Sequence, residues 1–293
     1  MADAAIQVHG LRKSYGNFEA VRGIDFEVPR GEVFGLLGPN GAGKTTTVEI
    51  LEGYRQRSGG EVNVLGFDPG QRSRALRSRV GIVLQSTGLY RHIQVREAVA
   101  HFAAMYPHPR DTNEVISLTG LEGKEHALVR TLSGGQMRRL DLALALVGDP
   151  ELIFLDEPTT GFDPAARRNA WDTIRSLKEL GKTVLLTTHY LDEAQALADR
   201  VAIIKDGRIL AEGAPHELGT SSSSAPYRVA YRNGHGGIVE RDTDDPTTLL
   251  HELTSEALAR GERLEDLTVT RPTLEDVYLE LTAGAPPEDG SDE

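Results

Sequence analysis

The sequence predicts an α/β protein with a mixed sheet, an antiparallel β edge, a helical subdomain and a small C-terminal α+β domain. Over the first two-thirds of the chain, short apolar runs alternate with segments of helical composition. Several runs are apolar at every position, which is typical of strands that are buried on both faces of a parallel sheet. The alternation therefore indicates strand–helix–strand units around a buried sheet.

The individual elements follow from these patterns. The central strands are predicted at the apolar runs of residues 33–37, 152–155 and 184–188. Helices are predicted at residues 44–51 and 164–180, and Gly181 is a natural C-terminal stop for the second helix. Residues 6–8 and 24–28 instead alternate apolar and polar side chains, which predicts antiparallel strands.

Changes of composition divide the chain into domains. The first domain is predicted over residues 1–219, with a helical subdomain at about 87–150 that contains helices at 95–105, 112–119 and 135–147. Residues 220–226 form a serine-rich seam and are predicted to be a linker. The small domain is predicted over residues 227–284, with strands at 227–231 and 267–270 and helices at 246–260 and 273–281. Residues 285–293 are predicted to be a disordered acidic tail.

Composition excludes several classes of function. The 293 residues carry a net charge of −12, which argues against general nucleic-acid binding. The absence of cysteine excludes a disulfide scaffold, a thiolate metal site and a cysteine nucleophile. No run approaches the roughly 18 apolar residues of a membrane span, and the first residues lack the basic and apolar regions of a signal peptide.

Residues 38–45 read GPNGAGKT, which fits the phosphate-binding P-loop pattern between a predicted strand and a predicted helix. The glycines let backbone N–H groups converge at the positive end of the helix, where a phosphate binds. Lys44 is expected to reach the β- and γ-phosphates, and the Thr45 hydroxyl to ligate Mg²⁺. The competing interpretation is a glycine-rich turn with a chance lysine. The pattern predicts a P-loop NTPase.

Polar side chains stand at the ends of three other predicted strands. Asp156 and Glu157 follow residues 152–155, so Asp156 suits the Mg²⁺ shell and Glu157 can polarise a water for attack on the γ-phosphate. The pair could instead cap the next helix, and His189, after residues 184–188, could likewise be a structural cap. Gln85 follows a third predicted strand at residues 80–84 and could supply a neutral oxygen to Mg²⁺ or to water.

The pentapeptide LSGGQ at residues 132–136 resembles the diagnostic signature of the ATP-binding-cassette (ABC) ATPases. Its serine and glycines are expected to open a helix whose N-terminus is a second anion site. The resemblance implies that ATP is held between the P-loop of one subunit and the signature of another. One chain with one P-loop and one signature then supplies half of each of two composite sites, which implies a homodimer or a heterodimer with a similar subunit.

The resemblance also assigns individual residues. Tyr15 is similar to the aromatic residue that stacks on adenine, although it could simply be a half-buried strand tyrosine, and His189 to the histidine that contacts the γ-phosphate. Residues 161–163 resemble the loop that crosses the dimer interface, with Phe162 where many relatives have leucine. The implied nucleotide-binding residues are Tyr15, Gly38, Pro39, Asn40, Gly41, Ala42, Gly43, Lys44, Thr45, Thr46, Ser133, Gly134, Gly135 and Gln136. The implied catalytic residues are Glu157, His189 and Gln85, and the implied Mg²⁺ ligands are Thr45, Gln85 and Asp156.

In finer detail, residues 45–53, 58–66 and 271–281 resemble the ATPase subunits of daunorubicin-resistance-type (ABC-2 type) exporters. This implies a peripheral subunit at the cytoplasmic face of the cell membrane, which serves a separate permease that exports a drug-like or lipid-like substrate. The helical insert, especially residues 89–95, could pass motion to that permease, or its surface there could be ordinary packing. The alternative is a soluble ABC-type ATPase in a non-transport assembly complex. The C-terminal domain could be a regulatory or dimer-bracing module.

Overall fold

The computed structural model describes residues 4–83, 88–221, 227–232, 237–270 and 273–283. The chain folds into two compact units that divide between Glu212 and Gly213. This boundary lies before the predicted one at residue 219, because a helix that begins at Pro215 packs against the helix at Leu274–Ala283. Residues 222–226 of the predicted linker and all of the predicted tail lie outside the described residues.

The elements before the boundary alternate as the sequence predicts. The strands are β1 (Ala4–Tyr15), β2 (Phe18–Pro29), β3 (Val33–Leu37), β4 (Gly59–Val64), β5 (Val80–Val83), β6 (Leu152–Asp156), β7 (Thr183–Thr188), β8 (Arg200–Lys205) and β9 (Arg208–Gly213). The helices are α1 (Lys44–Leu51), α2 (Arg74–Arg77), α3 (Val95–Ala103), α4 (Thr112–Leu118), α5 (Gly134–Leu146), α6 (Pro164–Glu179) and α7 (Leu191–Leu197), with 3₁₀ turns at Pro69–Gln71 and Val129–Thr131.

The main sheet has the strand order β5-β6-β7-β3-β8-β9. The pairs β5–β6, β6–β7, β7–β3 and β3–β8 are parallel. Every residue of β3, β6 and β7 is buried, which confirms the prediction of a core of doubly covered strands. Because neighbouring parallel strands end at the same edge, this topology brings the residues after β3, β6 and β7 together.

The predicted antiparallel strands form a separate sheet of order β2-β1-β4 rather than an edge of the main sheet. Ile6 pairs with Val28 on β2 and with Val64 on β4, so the buried side chains share one face. This face joins the same hydrophobic cluster as Phe34 and Phe154 of the main sheet. The two sheets therefore pack around a common core.

Helices α3, α4 and α5 pack on one another within the predicted helical subdomain. Val99, Ile116 and Leu140, one from each helix, are almost completely buried in a second hydrophobic cluster. The same cluster includes Ile153 and Leu155 of β6. Burial of these apolar side chains fixes the position of α5, which carries the LSGGQ pentapeptide at its start.

A cleft of about 290 Å³ lies between the end of α1 and the helical subdomain, lined mainly by apolar side chains that include Leu76, Phe102 and Tyr106. Glu52 lines it as well. Burial, reinforced by repulsion from Asp156 and Glu49, raises the pKa of Glu52 to about 8. Glu52 is therefore protonated in the folded protein at neutral pH.

This shift gives a prediction for stability against pH. Between about pH 4.5 and pH 8 the unfolded chain releases the Glu52 proton while the folded chain keeps it, so rising pH favours unfolding across this window. Glu52→Gln removes this pH-dependent loss of stability. We therefore expect the melting temperature of the variant, relative to that of the native protein, to increase as pH rises from 5 to 8. For a domain of this size, each 1 kcal/mol corresponds to roughly 2–4 °C. A difference in melting temperature that stays constant with pH would contradict the raised pKa of Glu52.

The second unit contains α8 (Pro215–Ser221), β10 (Tyr227–Arg232), β11 (Ile238–Thr243), α9 (Pro246–Ala259), β12 (Glu265–Thr270) and α10 (Leu274–Ala283). β10 is the central strand of an antiparallel sheet of order β11-β10-β12. Its Val229 is completely buried, and α9 packs against the same strand. Among the described residues of both units, no helix is long and apolar enough to cross a membrane.

Candidate nucleotide site

The phosphate-binding loop runs from Gly38, directly after β3, to Gly43, directly before α1. A β-carbon on Gly38 would lie 2.1 Å from the carbonyl oxygen of Ile204, so only glycine fits there. Gly43 has a φ of +105°, and a β-carbon on it would lie 2.6 Å from the carbonyl oxygen of Ala20. The glycines of this loop are therefore required by close backbone approach and by left-handed conformation. These requirements argue against a chance glycine-rich turn.

Lys44 is the first residue of α1, and only 4% of it is exposed. Its Nζ donates hydrogen bonds to the carbonyl oxygens of Gly38, at 2.7 Å, and Pro39, at 3.1 Å. Burial lowers the pKa of Lys44, and the nearby carboxylate of Glu157 opposes that shift. The ammonium group is thus held in the bend of the loop, where it can meet a phosphate.

The β6 strand ends in the two predicted acidic residues. Asp156 accepts a hydrogen bond of 2.5 Å from the Thr187 hydroxyl, which opposes the upward shift that burial imposes on the pKa of Asp156. Glu157 has a φ of +45°, a left-handed conformation that glutamate rarely adopts. The Glu157 N–H holds it there by donating to the carbonyl and hydroxyl oxygens of Thr187, at 3.2 and 3.0 Å.

The Glu157 carboxylate is where the predicted catalytic residues meet. Its Oε1 lies 3.6 Å from Lys44 Nζ and 3.3 Å from His189 Nδ1. Its Oε2 accepts a hydrogen bond of 3.1 Å from the Thr160 hydroxyl. The Glu157 side chain is 11% exposed, so a small molecule can reach it while bulk water is largely excluded.

The structure rules out the capping alternatives. Helix α6 is capped by Asp163, whose Oδ1 accepts from the N–H groups of Ala165 and Ala166. Helix α7 begins after Tyr190 with no side-chain cap. Neither the Asp156–Glu157 pair nor His189 therefore caps a helix.

The LSGGQ pentapeptide opens α5 as predicted. Ser133 is the N-cap, and its hydroxyl and the Gln136 side chain form a reciprocal capping box. A β-carbon on Gly134 or Gly135 would meet nothing within 4 Å, and neither glycine has a left-handed φ. No contact among the described residues requires glycine at these two positions. The pair leaves the positive end of a 13-residue helix open to an outside group.

Three other predicted site residues are Tyr15, Thr45 and Gln85, and the structure describes the first two. Tyr15 ends β1 and is 41% exposed, with the charged groups of Lys13 and Arg55 at 5.0 and 5.3 Å from its ring centroid. Tyr15 is thus a strand residue whose ring is accessible from solvent. Thr45 is exposed at the start of α1, beside the P-loop. Gln85 lies outside the described residues.

Two charged residues of the site were not predicted. Arg138 of α5 donates to the carbonyl oxygen of Pro158, at 3.1 Å, and thus ties the signature helix to the loop after Glu157. Glu193 of α7 is completely buried and accepts hydrogen bonds from Thr159 and Trp171. A charged residue within the buried stripe of α7, beside Ala194 and Leu197, is the sequence signal that could have revealed Glu193.

The donor groups at the site fit Mg²⁺. Among the described residues, no cluster of three or more His, Cys, Asp or Glu side chains could hold a metal by itself. The Thr45 hydroxyl and the Asp156 carboxylate are hard oxygen donors of the kind that bind Mg²⁺ together with substrate phosphates. The residues present therefore suit a metal that is carried by a nucleotide.

Comparison with known proteins agrees with this geometry. The family described as ABC transporter matches residues 21–160. The Nod factor export ATP-binding protein I of Paraburkholderia xenovorans is 41% identical, over 96% of this chain and 98% of that protein. The chain belongs to the ATP-binding proteins of ABC transporters. It therefore has the family's activity, the binding and hydrolysis of ATP.

Two further comparisons extend the match. The daunorubicin resistance ATP-binding protein DrrA3 of Streptomyces coeruleorubidus is 39% identical to this ABC protein, over 96% of this chain and 97% of that protein. The solved structure of cbiO1 from Clostridium perfringens, part of the ABC transporter complex cbiONQ, is 31% identical and has a TM-score of 0.68. It covers 75% of this chain and 92% of its own, which confirms the predicted ABC ATPase fold.

Proposed function

We propose that Glu157 is the general base of ATP hydrolysis in this ABC protein. The supporting observation is the convergence of Lys44, Glu157 and His189 at one point, since Lys44 marks the position of the terminal phosphates. A water oxygen attacks the γ-phosphorus, its proton passes to Glu157, and the bond from the γ-phosphorus to the bridging oxygen of ADP breaks. His189 contacts the γ-phosphate and, with Lys44, stabilises its charge.

Thr45 and Asp156 are the proposed Mg²⁺ ligands from this chain, Asp156 through water, and the metal would neutralise charge on the phosphates. The hydrogen bond from Thr187 orients the Asp156 carboxylate for that role. Gln85 is the third proposed oxygen donor. The exposed ring of Tyr15 is the proposed platform for adenine.

The open signature helix supports a composite site. Because Gly134 and Gly135 have empty space around them, a second protomer can bring its bound ATP against the α5 N-terminus. Each ATP would then lie between the P-loop of one protomer and the Ser133–Gln136 signature of the other. Two protomers would thus be joined by the nucleotides that they hydrolyse.

A mixing experiment tests this arrangement. Lys44→Ala disables the P-loop, whereas Gly134→Asp places a negative charge at the signature, where an added β-carbon has no neighbouring atom within 4 Å. Each variant alone is expected to be inactive as a homodimer. In a mixture, the heterodimer contains one intact composite site, so phosphate release is expected to recover in part. Inactive parents that stay inactive when mixed would contradict a homodimer of composite sites.

We further propose that the chain powers export through a separate polytopic membrane protein, at the cytoplasmic face of the membrane. Support comes from relatives whose names attach them to Nod factor export and daunorubicin resistance. The segment 89–95 carries Tyr90, which is 82% exposed, and exposed aromatic side chains are enriched at protein interfaces. A drug-like or lipid-like compound is the proposed cargo. These relatives favour transport over the soluble assembly role.

Isolation from native membranes tests the partner. A tagged chain is expected to copurify with a polytopic membrane protein, and Tyr90→Ser, an exposed change, is expected to weaken that association while leaving basal ATP hydrolysis intact. Recovery of the tagged chain only in a soluble complex would refute the transport role. Tyr54→Ser, at another exposed aromatic residue, is the matched control.

A further inference from the structure

Glu193 is a carboxylate in an unusual position, since it has no solvent exposure at all. The Thr159 hydroxyl donates to Glu193 Oε1 at 2.7 Å, and the Trp171 indole N–H donates to the same oxygen at 3.2 Å. Burial raises the pKa of Glu193, and the hydrogen bonds from Thr159 and Trp171 oppose the rise. The carboxyl group is thus held by donors from two segments of the chain.

Glu193 and its donors lie beside the reacting groups. Thr159 lies two residues after Glu157, and Glu193 itself lies on α7, which begins two residues after His189. Thr159 and Glu193 are both completely buried and cannot move independently of their surroundings. Trp171 belongs to α6, the helix that begins where the loop after Glu157 ends. The Glu193 side chain therefore connects the loop of the base to the helix that follows the histidine.

We propose that Glu193 is a positioning residue that sets the separation of Glu157 and His189 for ATP hydrolysis. The inference rests on the proposed roles of those two residues and adds a residue that contacts neither the reacting water nor the nucleotide. Glu157 needs such support because its backbone is left-handed and relaxes unless its surroundings fix it. A displacement of about 1 Å in a reacting group can cost roughly 10²-fold in rate.

Replacement of Glu193 is the primary test. Glu193→Leu removes the acceptor and is expected to lower kcat by about 10- to 100-fold. The KM for MgATP, and the Kd for ATP measured without turnover, are expected to stay within about twofold, because Lys44 and the P-loop are untouched. Glu193→Gln keeps an amide oxygen for Thr159 and Trp171 and is expected to recover most of kcat.

Glu32 provides the matched control for a merely structural effect. Its side chain is 10% exposed, burial raises its pKa, and it is paired with Arg200 at 3.3 Å. It precedes β3, at the end of the sheet opposite the P-loop. Glu32→Leu should therefore destabilise the fold in a similar way, while kcat at a temperature where the protein is folded stays near the native value.

A second pair of variants addresses the case in which Glu193→Leu fails to fold. Thr159→Val is nearly isosteric and deletes only the hydroxyl that donates to Glu193, whereas Thr159→Ser keeps a hydroxyl. The valine variant is expected to lose kcat with unchanged KM, and the serine variant to retain it. If Glu193→Leu does fold, it can be combined with Thr159→Val. The kcat of this double variant should fall by no more than the larger of the two single losses.

Several results would overturn the inference. One is a kcat for Glu193→Leu equal to that of Glu32→Leu. Another is an effect of Glu193→Leu on KM or on the Kd for ATP alone. A third is a kcat for Glu193→Gln and Thr159→Ser as low as that of Glu193→Leu and Thr159→Val. Glu157→Gln in the same assay distinguishes failure of the positioning role of Glu193 from failure of the proposed role of Glu157. If Glu157→Gln stays active, the role of the base fails. If it is inactive and Glu193→Leu is not specifically impaired, only the positioning role fails.

Discussion

Glu157→Gln is expected to abolish steady-state ATP hydrolysis while preserving ATP binding. Glutamine keeps the size of the side chain and an acceptor for the Thr160 hydroxyl, but it cannot take a proton from water. Loss of the general base alone costs about 10²–10⁴-fold in rate. Phosphate release in the steady state measures the loss, and equilibrium titration with ATP measures the retained affinity.

Glu179→Gln is the matched control, because this exposed residue at the end of α6 undergoes the same chemical change. It should hydrolyse ATP at the native rate. Near-normal phosphate release by Glu157→Gln would remove the base from the mechanism, and the convergence of His189 and Lys44 on its carboxylate would need another explanation.

Lys44→Ala is expected to weaken ATP binding itself. The ammonium group lies against the Gly38 and Pro39 carbonyls, where it can pair with phosphate oxygens in a largely buried setting. A hydrogen bond to a charged partner contributes about 1.5–3 kcal/mol, which corresponds to roughly 10- to 100-fold in Kd. We therefore expect a loss of this size in titrations with ATP and magnesium, and no detectable turnover.

Lys182→Ala controls for removal of a buried lysine. Only 9% of Lys182 is exposed, and its Nζ pairs with Asp149 at 2.7 Å, away from the P-loop. Its loss should affect stability and leave the Kd for ATP unchanged. Equal losses of affinity in the two variants would mean that the effect at Lys44 is one of folding rather than of phosphate contact.

The nucleotide site could be predicted from sequence because its residues are local. The P-loop stands between a strand and a helix that are apolar in the right places, and the helix predicted at 44–51 is α1 to the residue. The apolar runs before Asp156 and His189 placed both residues at strand ends, and parallel pairing of the strands brings those ends to the same edge of the sheet. The site could be predicted because each of these signals lies within a short segment of sequence.

Elements that depend on distant contacts were harder to predict. The antiparallel strands were expected as an edge, but whether they join the main sheet or form their own depends on pairing with β4, which is separated from them in sequence. β11 was missed because most of its residues are exposed and three of its six are charged. β8 has the apolar run Val201–Ile204 and could have been found by the criterion that found β3.

The supporting charges could not be predicted for a different reason. Arg138 and Glu193 act through contacts with Pro158, Thr159 and Trp171, which are 20 or more residues away along the chain. Sequence pattern shows that a charge lies in a buried stripe but not what it bonds. The left-handed conformation of Glu157 is equally invisible in the sequence, since no glycine or asparagine marks it.

The most direct measurement is the sedimentation of Glu157→Gln with and without MgATP. If ATP is shared between the P-loop of one protomer and the signature of the next, this variant should shift from monomer to dimer when MgATP is added, and Gly134→Asp in the same background should prevent the shift. A Glu157→Gln protein that binds MgATP and remains monomeric at every concentration would contradict the shared site.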